Sequence, residues 1–281
     1  MLHVNYFLDY CRFVRHYSEE TIKTYAYVFD TFSSFSDVED DKVTSSLIVQ
    51  YLLSLGEKSL SGATINLHRA ALMSYFRFCC QFYGLVSNPV APVAAVRKVP
   101  KLFGCITEQE MTKVLSSMPI RSDIEIRDRL ILTILYHCGL RVSELCSLRF
   151  ADCDMDKCYF TIHGKGGKVR IVPFSSEVRS LLSYPLYKDS CFDYVISTCQ
   201  GCGSLTTEQV RYIVKKNLIP FVRPDKAHPH ALRHAFATTL LNGGMGIESI
   251  SKLMGHASVS TTMIYLSLSL DRITNIYHKI F

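Results

Sequence analysis

The chain has 281 residues, a length that suits two ordinary domains or one large one. With 48% hydrophobic and 20% charged residues, the composition excludes a chain that is disordered throughout. There is no run of about 18 apolar residues and no export signal at the start, so we expect a cytoplasmic protein without membrane contact. The net charge of +6 suits a polyanionic partner, although basic residues also form ordinary solvated surfaces.

The eleven cysteines are scattered along the chain. Without an export signal, we expect them to be reduced and to serve mostly as small core residues. Cys199 and Cys202 have the spacing of a metal-binding pair but no obvious partner pair, so we interpret them as part of a turn. The sequence therefore predicts no metal site.

The first hundred residues predict an all-helical unit. Ser18 can cap a first helix, and two more helices follow over residues 47–55 and 63–83. Apolar residues recur at helical spacing in the first and third of these: Ile22, Tyr25, Phe29 and Phe32, then Ile65, Leu72, Phe76, Cys79 and Tyr83.

Polar residues of this unit are assigned to its surface. The acidic cluster Asp37, Glu39, Asp40 and Asp41 is interpreted as a solvated connection. In the third helix, three basic residues are predicted to lie off the apolar stripe, on a face that either contacts phosphates or faces solvent: His68, Arg69 and Arg77.

A change in texture follows. Asn88-Pro89, Pro92 and Pro100 break any helix, and basic residues lie among them, which is typical of an extended linker. Thr107 to Glu110 has the pattern of a capping box that opens a new helix. We therefore place the domain boundary near residue 103.

The second part predicts a mixed, mainly helical domain. A buried helix over residues 127–138 is ended by Gly139. Two β-prone runs, residues 159–163 and 169–174, flank a Gly-rich turn and predict a hairpin. Further helices are predicted over these ranges: 229–242, 247–254, 258–265 and 269–280.

The chemistry-bearing residues of this part lie at breaks between elements. The sequence contains no GxxxxGK[ST] phosphate loop, no HExxH and no carboxylate pair at metal-ligand spacing, so metal- or ATP-driven phosphoryl transfer has no visible machinery. Instead, the chain offers two guanidiniums, two imidazoles, an ammonium and a phenol. In chain order, the residues that carry them are Arg141, Lys165, His230, Arg233, His256 and Tyr265.

Taken singly, each of these residues is more simply explained as an ordinary surface or core residue than as a functional one. Together, they could perform metal-free phosphodiester transesterification. Guanidiniums hold the non-bridging oxygens of a phosphate, imidazoles and an ammonium move protons, and a phenol attacks phosphorus. Positive side chains would then neutralise the charge that a metal ion neutralises elsewhere.

Four segments of the chain resemble the signature segments of tyrosine recombinases, the family of phage integrases and Xer enzymes, in order and spacing. They are Cys138-Gly-Leu-Arg-Val-Ser-Glu-Leu145, Gly164-Lys-Gly-Gly-Lys-Val-Arg170, His230-Ala-Leu-Arg-His234 and Leu253-Met-Gly-His-Ala-Ser-Val-Ser-Thr-Thr-Met-Ile-Tyr265. Ser18 to Tyr25 and Thr64 to Phe78 look like the family's helical core-binding domain. The resemblance therefore covers nearly the whole chain.

The resemblance implies a role for each candidate. Tyr265 attacks the scissile phosphate, forms a 3′-phosphotyrosyl link and releases a 5′-hydroxyl. Arg141 and Arg233 hold the phosphate. Lys165 protonates the leaving oxygen, and neighbouring Lys168 remains an alternative by sequence alone. The two imidazoles are implied to assist proton transfer at the nucleophile and to bind a phosphate oxygen, respectively: His230 and His256.

The resemblance also implies an architecture and partners. We expect a mainly α protein with a small β-hairpin, arranged as a two-domain C-shaped clamp on DNA. Residues 1–103 would form a SAM-like core-binding domain with its linker, and residues 104–281 the catalytic domain. The partner would be a double-stranded recombination site, bound by a homo-tetramer or by a hetero-tetramer with a second recombinase, with an accessory activator left open. No cofactor is implied.

Several alternatives stay open. Glu144 could orient Arg141 through a buried ion pair or be a surface partner one turn away. The last helix, which includes Tyr277, could dock onto a neighbouring protomer or pack within its own chain. An Xer-type enzyme of chromosome partition and cell division and a compact mobile-element integrase both fit. A type IB topoisomerase-like relaxase and a DNA-binding protein without catalysis are the other candidates.

Overall fold

The computed structural model divides the chain into two compact units, Met1–Lys101 and Leu102–Phe281. No helix among its described residues is long and apolar enough to cross a membrane. The described residues are 3–97, 106–164, 167–184, 193–197, 203–255 and 277–281. The helix predicted over residues 258–265 and most of the one predicted over 269–280 lie outside them.

The first unit is helical, as predicted. Its three longer helices begin at hydroxyl side chains that accept a hydrogen bond from the first turn: Ser18, Thr44 and Ser61. A π-helical turn, Tyr10–Val14, extends the first helix. The helices are α1 (Val4–Asp9), α2 (Glu19–Phe35), α3 (Ser45–Glu57) and α4 (Gly62–Phe82).

Aromatic rings fill the core of this unit. Phe7 contacts Phe29, Tyr75 and Phe78 at ring-centroid distances of 5.3 to 5.7 Å, in edge-on or tilted arrangements that suit the quadrupoles of the rings. All four residues are buried. The apolar stripes predicted for α2 and α4 are therefore confirmed as the surfaces that join α1, α2 and α4, except at Tyr83, which follows the end of α4 and is 42% exposed.

Two polar residues assigned to the surface from sequence are buried instead, so these predictions were wrong. The Tyr51 hydroxyl lies 2.7 Å from His68 Nδ1, and the Tyr75 hydroxyl donates to Asp40 Oδ2 at 2.6 Å. A buried polar group is tolerated once it has a hydrogen-bond partner. Each partner is distant in sequence, which explains why local patterning missed both His68 and Asp40.

The second unit packs helices around a three-stranded antiparallel sheet of order β1-β2-β3. The predicted hairpin is confirmed, with Ile162 opposite Arg170 and His163 opposite Val169. The strands are β1 (Cys153–Asp154), β2 (Tyr159–His163) and β3 (Val169–Pro173). The helices are α5 (Glu108–Ser117), α6 (Asp123–His137), α7 (Val142–Ser147), α8 (Ser176–Leu182), α9 (Thr207–Leu218), α10 (Pro229–Asn242) and α11 (Ile247–Met254).

Helix α6 is the central helix of this unit and packs against α10 and α8. It begins earlier than predicted, because Ser122 and Glu125 form a capping box. It ends, as predicted, at Gly139, whose φ of +59° favours glycine. A Cβ at Gly139 would lie 2.2 Å from the Phe236 ring, so the close approach of α10 also requires this glycine.

Residues 277–281 pack within their own unit, which is one of the two alternatives that the sequence left open. Tyr277 is fully buried and its hydroxyl donates to the His137 carbonyl at 2.7 Å. The Phe281 ring lies 4.6 Å from the His137 ring. Docking of the predicted last helix onto a second protomer stays a prediction.

A first prediction concerns the capping box of α5. Thr107 accepts from the Glu110 amide while Glu110 accepts from the Thr107 amide. We expect Thr107→Ala to lower the free energy of unfolding by about 1 kcal/mol, because it leaves an amide of the first turn unsatisfied. Thr112→Ala on the exposed face of the same helix is the control, since Thr112 bonds only the Glu108 carbonyl one turn back. Chemical denaturation measures both, and equal effects would contradict the prediction.

A second prediction concerns pH. His137 is buried, with Nδ1 2.6 Å from the Ser175 hydroxyl, and burial lowers the pKa of this imidazole to about 4. The unfolded chain binds the proton more readily than the folded one, so stability is present above pH 6.5 and is lost as the pH falls from 6.5 toward 4. The loss should reach about 3 kcal/mol. Denaturation of native and His137→Gln protein across this range isolates it, and parallel pH curves would contradict the assignment.

Candidate active site

The structure describes three of the six candidate residues, Arg141, His230 and Arg233. The other three, Lys165, His256 and Tyr265, lie outside the described residues. Lys168, the alternative to Lys165, is exposed beside the hairpin turn, and the choice between the two lysines stays open.

Arg141 begins helix α7, directly after the left-handed turn at Gly139. Its backbone N–H donates to Glu144 Oε2 at 2.7 Å, and its guanidinium donates to Glu144 Oε1 at 2.8 Å. A third bond runs from Arg141 to the Gly255 carbonyl at 3.1 Å. The side chain nevertheless remains 40% exposed, so its guanidinium can also reach a ligand from solvent.

Arg233 lies in α10 and is buried. Its guanidinium donates to the carbonyls of Gly139 and Met254. Burial, with the nearby Arg141 charge, lowers the pKa of Arg233 to about 10. The side chain therefore remains cationic at neutral pH, and its two carbonyl partners fix the orientation of the guanidinium.

His230 lies one turn before Arg233 on α10, so the predicted shared face is confirmed. His230 is exposed overall, but partial desolvation of its ring lowers the pKa of the imidazole, and the nearby His228 and Arg233 side chains lower it further. A lowered pKa keeps the ring neutral at pH 7, and a neutral imidazole can accept a proton.

Glu144 is the carboxylate that joins these residues. It is buried, so of the two alternatives the structure supports the buried ion pair. Burial alone would raise the pKa of the carboxyl, but hydrogen bonds from Arg170 and Arg141 outweigh it and lower the pKa. Its Oε2 also lies 3.9 Å from the Arg233 guanidinium. Glu144 is therefore ionised and shared by three arginines.

Arg170 is the member of the site that sequence reasoning missed. It lies on β3 and donates one N–H to each Glu144 oxygen, both at 2.8 Å. Its Nε donates to the Leu253 carbonyl at 2.8 Å. The sequence signal that could have identified Arg170 is its position as the last residue of the motif Gly164–Arg170, on the second strand of the hairpin.

The three arginines converge on the end of α11; we call Arg141, Arg170, Arg233 and Glu144 the arginine cluster. The carbonyls of Leu253, Met254 and Gly255 accept from Arg170, Arg233 and Arg141, respectively. A helix C-terminus carries partial negative charge and attracts cations. With three guanidiniums and one carboxylate, the cluster retains net positive charge.

The chemistry available at this site is anion binding. Positive guanidiniums with fixed N–H directions bind phosphate oxygens well. Among the described residues, no group of three or more His, Cys, Asp or Glu side chains could hold a metal ion. Cys199 and Cys202 lie outside the described residues, so their interpretation as a turn stays a prediction.

Comparison with known proteins decides the family. The model of the phage integrase family matches residues 105–272, and that of the phage integrase N-terminal SAM-like domain matches residues 4–81. The chain belongs to the phage integrase family. A tyrosine recombinase of Bacillus pumilus, XerC, is 31% identical to this recombinase over 98% of the chain and 94% of the relative. The XerC of Bacillus subtilis is 30% identical over the same shares.

Solved structures share the fold of the recombinase. The integrase of the Tn1549 transposon has a TM-score of 0.73 at 19% identity, covering 97% of this chain and 99% of that one. XerH site-specific recombinase has a TM-score of 0.71 at 23% identity, covering 97% and 83%. The predicted class, mainly α with a small sheet, is thus confirmed. The protein is a tyrosine recombinase, a site-specific DNA strand transferase.

Proposed function

We propose that this recombinase cuts and rejoins duplex DNA at its site through a 3′-phosphotyrosyl link on Tyr265. The observation that carries the proposal is the arginine cluster, in which Glu144 holds Arg141, two carbonyls hold Arg233, and net positive charge remains. The cluster also contacts the carbonyl of Gly255, the residue that directly precedes His256 in the chain.

The first step is attack of the Tyr265 oxygen on the scissile phosphorus. The P–O bond to Tyr265 forms as the bond to the 5′-oxygen breaks. His230 accepts the phenolic proton, and Lys165 supplies a proton to the leaving 5′-oxygen. Arg141, Arg233 and His256 bind the non-bridging oxygens, where negative charge builds in the transition state.

The second step reverses the first with a different strand. A 5′-hydroxyl attacks the phosphotyrosyl phosphorus, Tyr265 leaves, and the same groups return the protons. Because the covalent link conserves the phosphodiester bond, rejoining requires no ATP. Two rounds of this exchange pass through a Holliday junction and complete recombination.

The DNA contacts divide between the two units. The helical unit and the basic linker follow the DNA backbone, and the second unit cuts; the C-shaped clamp stays a prediction. Four protomers, identical or paired with a second recombinase, join two sites, and an accessory activator stays open. Because the proposed substrate is the cell's own DNA, we also propose a cytoplasmic location for the protein.

The similarity to XerC proteins over nearly the full chain favours an Xer-type role in chromosome partition and cell division. A compact mobile-element integrase is the second candidate, favoured by the shared fold of the Tn1549 integrase. Sequencing of DNA covalently trapped on the protein in cells distinguishes them. A single chromosomal locus supports the Xer role, and element ends support the integrase.

The catalytic proposal is tested on a duplex site nicked beside the cleavage point, so that the short 5′-hydroxyl fragment diffuses away and the adduct is trapped. We expect a covalent adduct without metal or ATP, with the nucleotide attached at Tyr265 by peptide mapping. Absence of an adduct on the protein's own site would support a DNA-binding protein without catalysis. Rapid relaxation of a supercoiled plasmid that lacks the site would support the topoisomerase-like alternative.

A further inference from the structure

We propose that Arg170 is a positioning residue for catalysis, which holds the phosphate-binding arginines in place through Glu144 and the end of α11. The inference rests on the proposed function and concerns a residue that binds no substrate itself. It also assigns a role to strand β3, the second strand of the hairpin, because β3 provides Arg170 to the arginine cluster.

The first argument is the geometry of the shared carboxylate. Arg170 approaches Glu144 as a fork, with one N–H on each oxygen at 2.8 Å, whereas the Arg141 guanidinium contacts a single oxygen. A two-point contact fixes the rotation of a carboxylate as well as its place. Arg170, together with the Arg141 backbone N–H, therefore sets the direction in which Glu144 presents its oxygens to the Arg141 guanidinium.

The second argument is that each nitrogen of the Arg170 guanidinium already donates a hydrogen bond within the protein. Its Nε and both terminal nitrogens each donate within the cluster, and its side chain is only 13% exposed. The Arg141 side chain is 40% exposed. Arg141 can thus add a phosphate from the solvent side, whereas the less exposed Arg170 directs both terminal nitrogens at Glu144. This division makes Arg141 a ligand of the phosphate and Arg170 its support.

The third argument is the contact with the end of α11. Gly255 has a φ of +63°, and a Cβ there would lie 3.1 to 3.2 Å from the Arg170 guanidinium. The Arg170 side chain therefore packs against the backbone at the point where α11 ends. Since Met254 and Gly255 also accept from Arg233 and Arg141, movement of this end displaces both phosphate ligands together.

The test compares Arg170→Lys with the native protein in single-turnover cleavage of the nicked duplex at saturating protein. Lysine keeps the charge but lacks the fork, so it cannot hold both carboxylate oxygens. We expect cleavage to slow about 100-fold, the effect of an approximately 1 Å displacement of catalytic groups. DNA affinity should change less than about threefold, because most DNA contacts go to other phosphates.

A neutral substrate separates positioning from general structural damage. Replacing a non-bridging oxygen of the scissile phosphate by methyl removes the charge that Arg141 and Arg233 neutralise. If Arg170 acts through them, the ratio of native to variant cleavage rates should shrink at least about tenfold on this substrate, since their contribution is electrostatic. An unchanged ratio would overturn the proposal.

Arg129→Lys is the matched control. Arg129 donates to the Glu177 carboxylate at 2.9 Å and to the Met118 carbonyl at the end of α5, so it makes the same kinds of contact elsewhere in the unit. Rates are normalised to the folded fraction from thermal melting. Equal loss of cleavage in both variants, or a rate for Arg170→Lys within threefold of native, would overturn the positioning role of Arg170. The proposed function of the protein would still stand. A native protein that forms no adduct counts against the proposed function instead.

Discussion

The Tyr265→Phe protein should bind its DNA site like the native protein and form no covalent adduct at all. Phenylalanine lacks the oxygen that bonds to phosphorus. The loss in cleavage should therefore exceed about 10⁴-fold, the range in which removal of a nucleophile places an enzyme. The measurement is adduct yield on the nicked duplex, with affinity determined separately by a gel-shift titration.

Tyr277→Phe is the control, since Tyr277 lies only twelve positions further along the chain. Its hydroxyl is buried and donates to the His137 carbonyl, which makes its role structural. Removing one buried hydrogen bond should lower the free energy of unfolding by about 1 to 2 kcal/mol, while the folded protein still forms the adduct. Adduct formation by Tyr265→Phe together with its loss in Tyr277→Phe would move the nucleophile to Tyr277.

The Glu144→Gln protein should be strongly destabilised as well as slow. The substitution keeps the shape of the side chain but removes the one negative charge that Arg141, Arg170 and Arg233 share. Removing one partner of a buried ion pair leaves uncompensated charge and costs about 3 to 5 kcal/mol. Chemical denaturation measures the loss, and cleavage under conditions where the variant is folded should fall at least about 100-fold, because Arg141 loses the carboxylate that orients its guanidinium.

Glu177→Gln supplies the comparison for this second prediction. Glu177 pairs with Arg129 at 2.9 Å, but both side chains are more exposed than those of the Glu144–Arg170 pair. An ion pair that solvent reaches should contribute less than about 1 kcal/mol. If the two variants lost similar stability, Glu144 would not be the central charge of the cluster, and the electrostatic reading of the site would fail.

Local signals predicted the elements that carry the site. The glycines that end them gave helix 229–242 and helix 247–254 with the same bounds as the structure, and the Gly-rich turn gave the hairpin. These features depend on residues within a few positions of one another. The predicted start of α6 at residue 127 was wrong, although Ser122 and Glu125 have the local pattern of a capping box and could have placed the start correctly.

Long-range contacts explain the errors that periodicity could not avoid. His68 was placed off the apolar stripe, yet Tyr51 of another helix gives it a buried partner. Asp40 was assigned to solvent, yet Tyr75, thirty-five positions later, donates to it. In both cases a hydrogen bond removes the cost of burying a polar group, and a single sequence does not reveal that bond.

The sequence by itself determined which residue types this recombinase brings to its chemistry, because two guanidiniums, two imidazoles, an ammonium and a phenol in one order suit attack on a phosphodiester. It also determined that Arg141 and His230 lie at the starts of helices. Only the tertiary structure decided that Glu144 is buried and that Arg170 shares it. Arg170 lies 26 positions from Glu144 and 83 from Leu253, and residues so far apart meet only when strand β3 and helix α11 pack together.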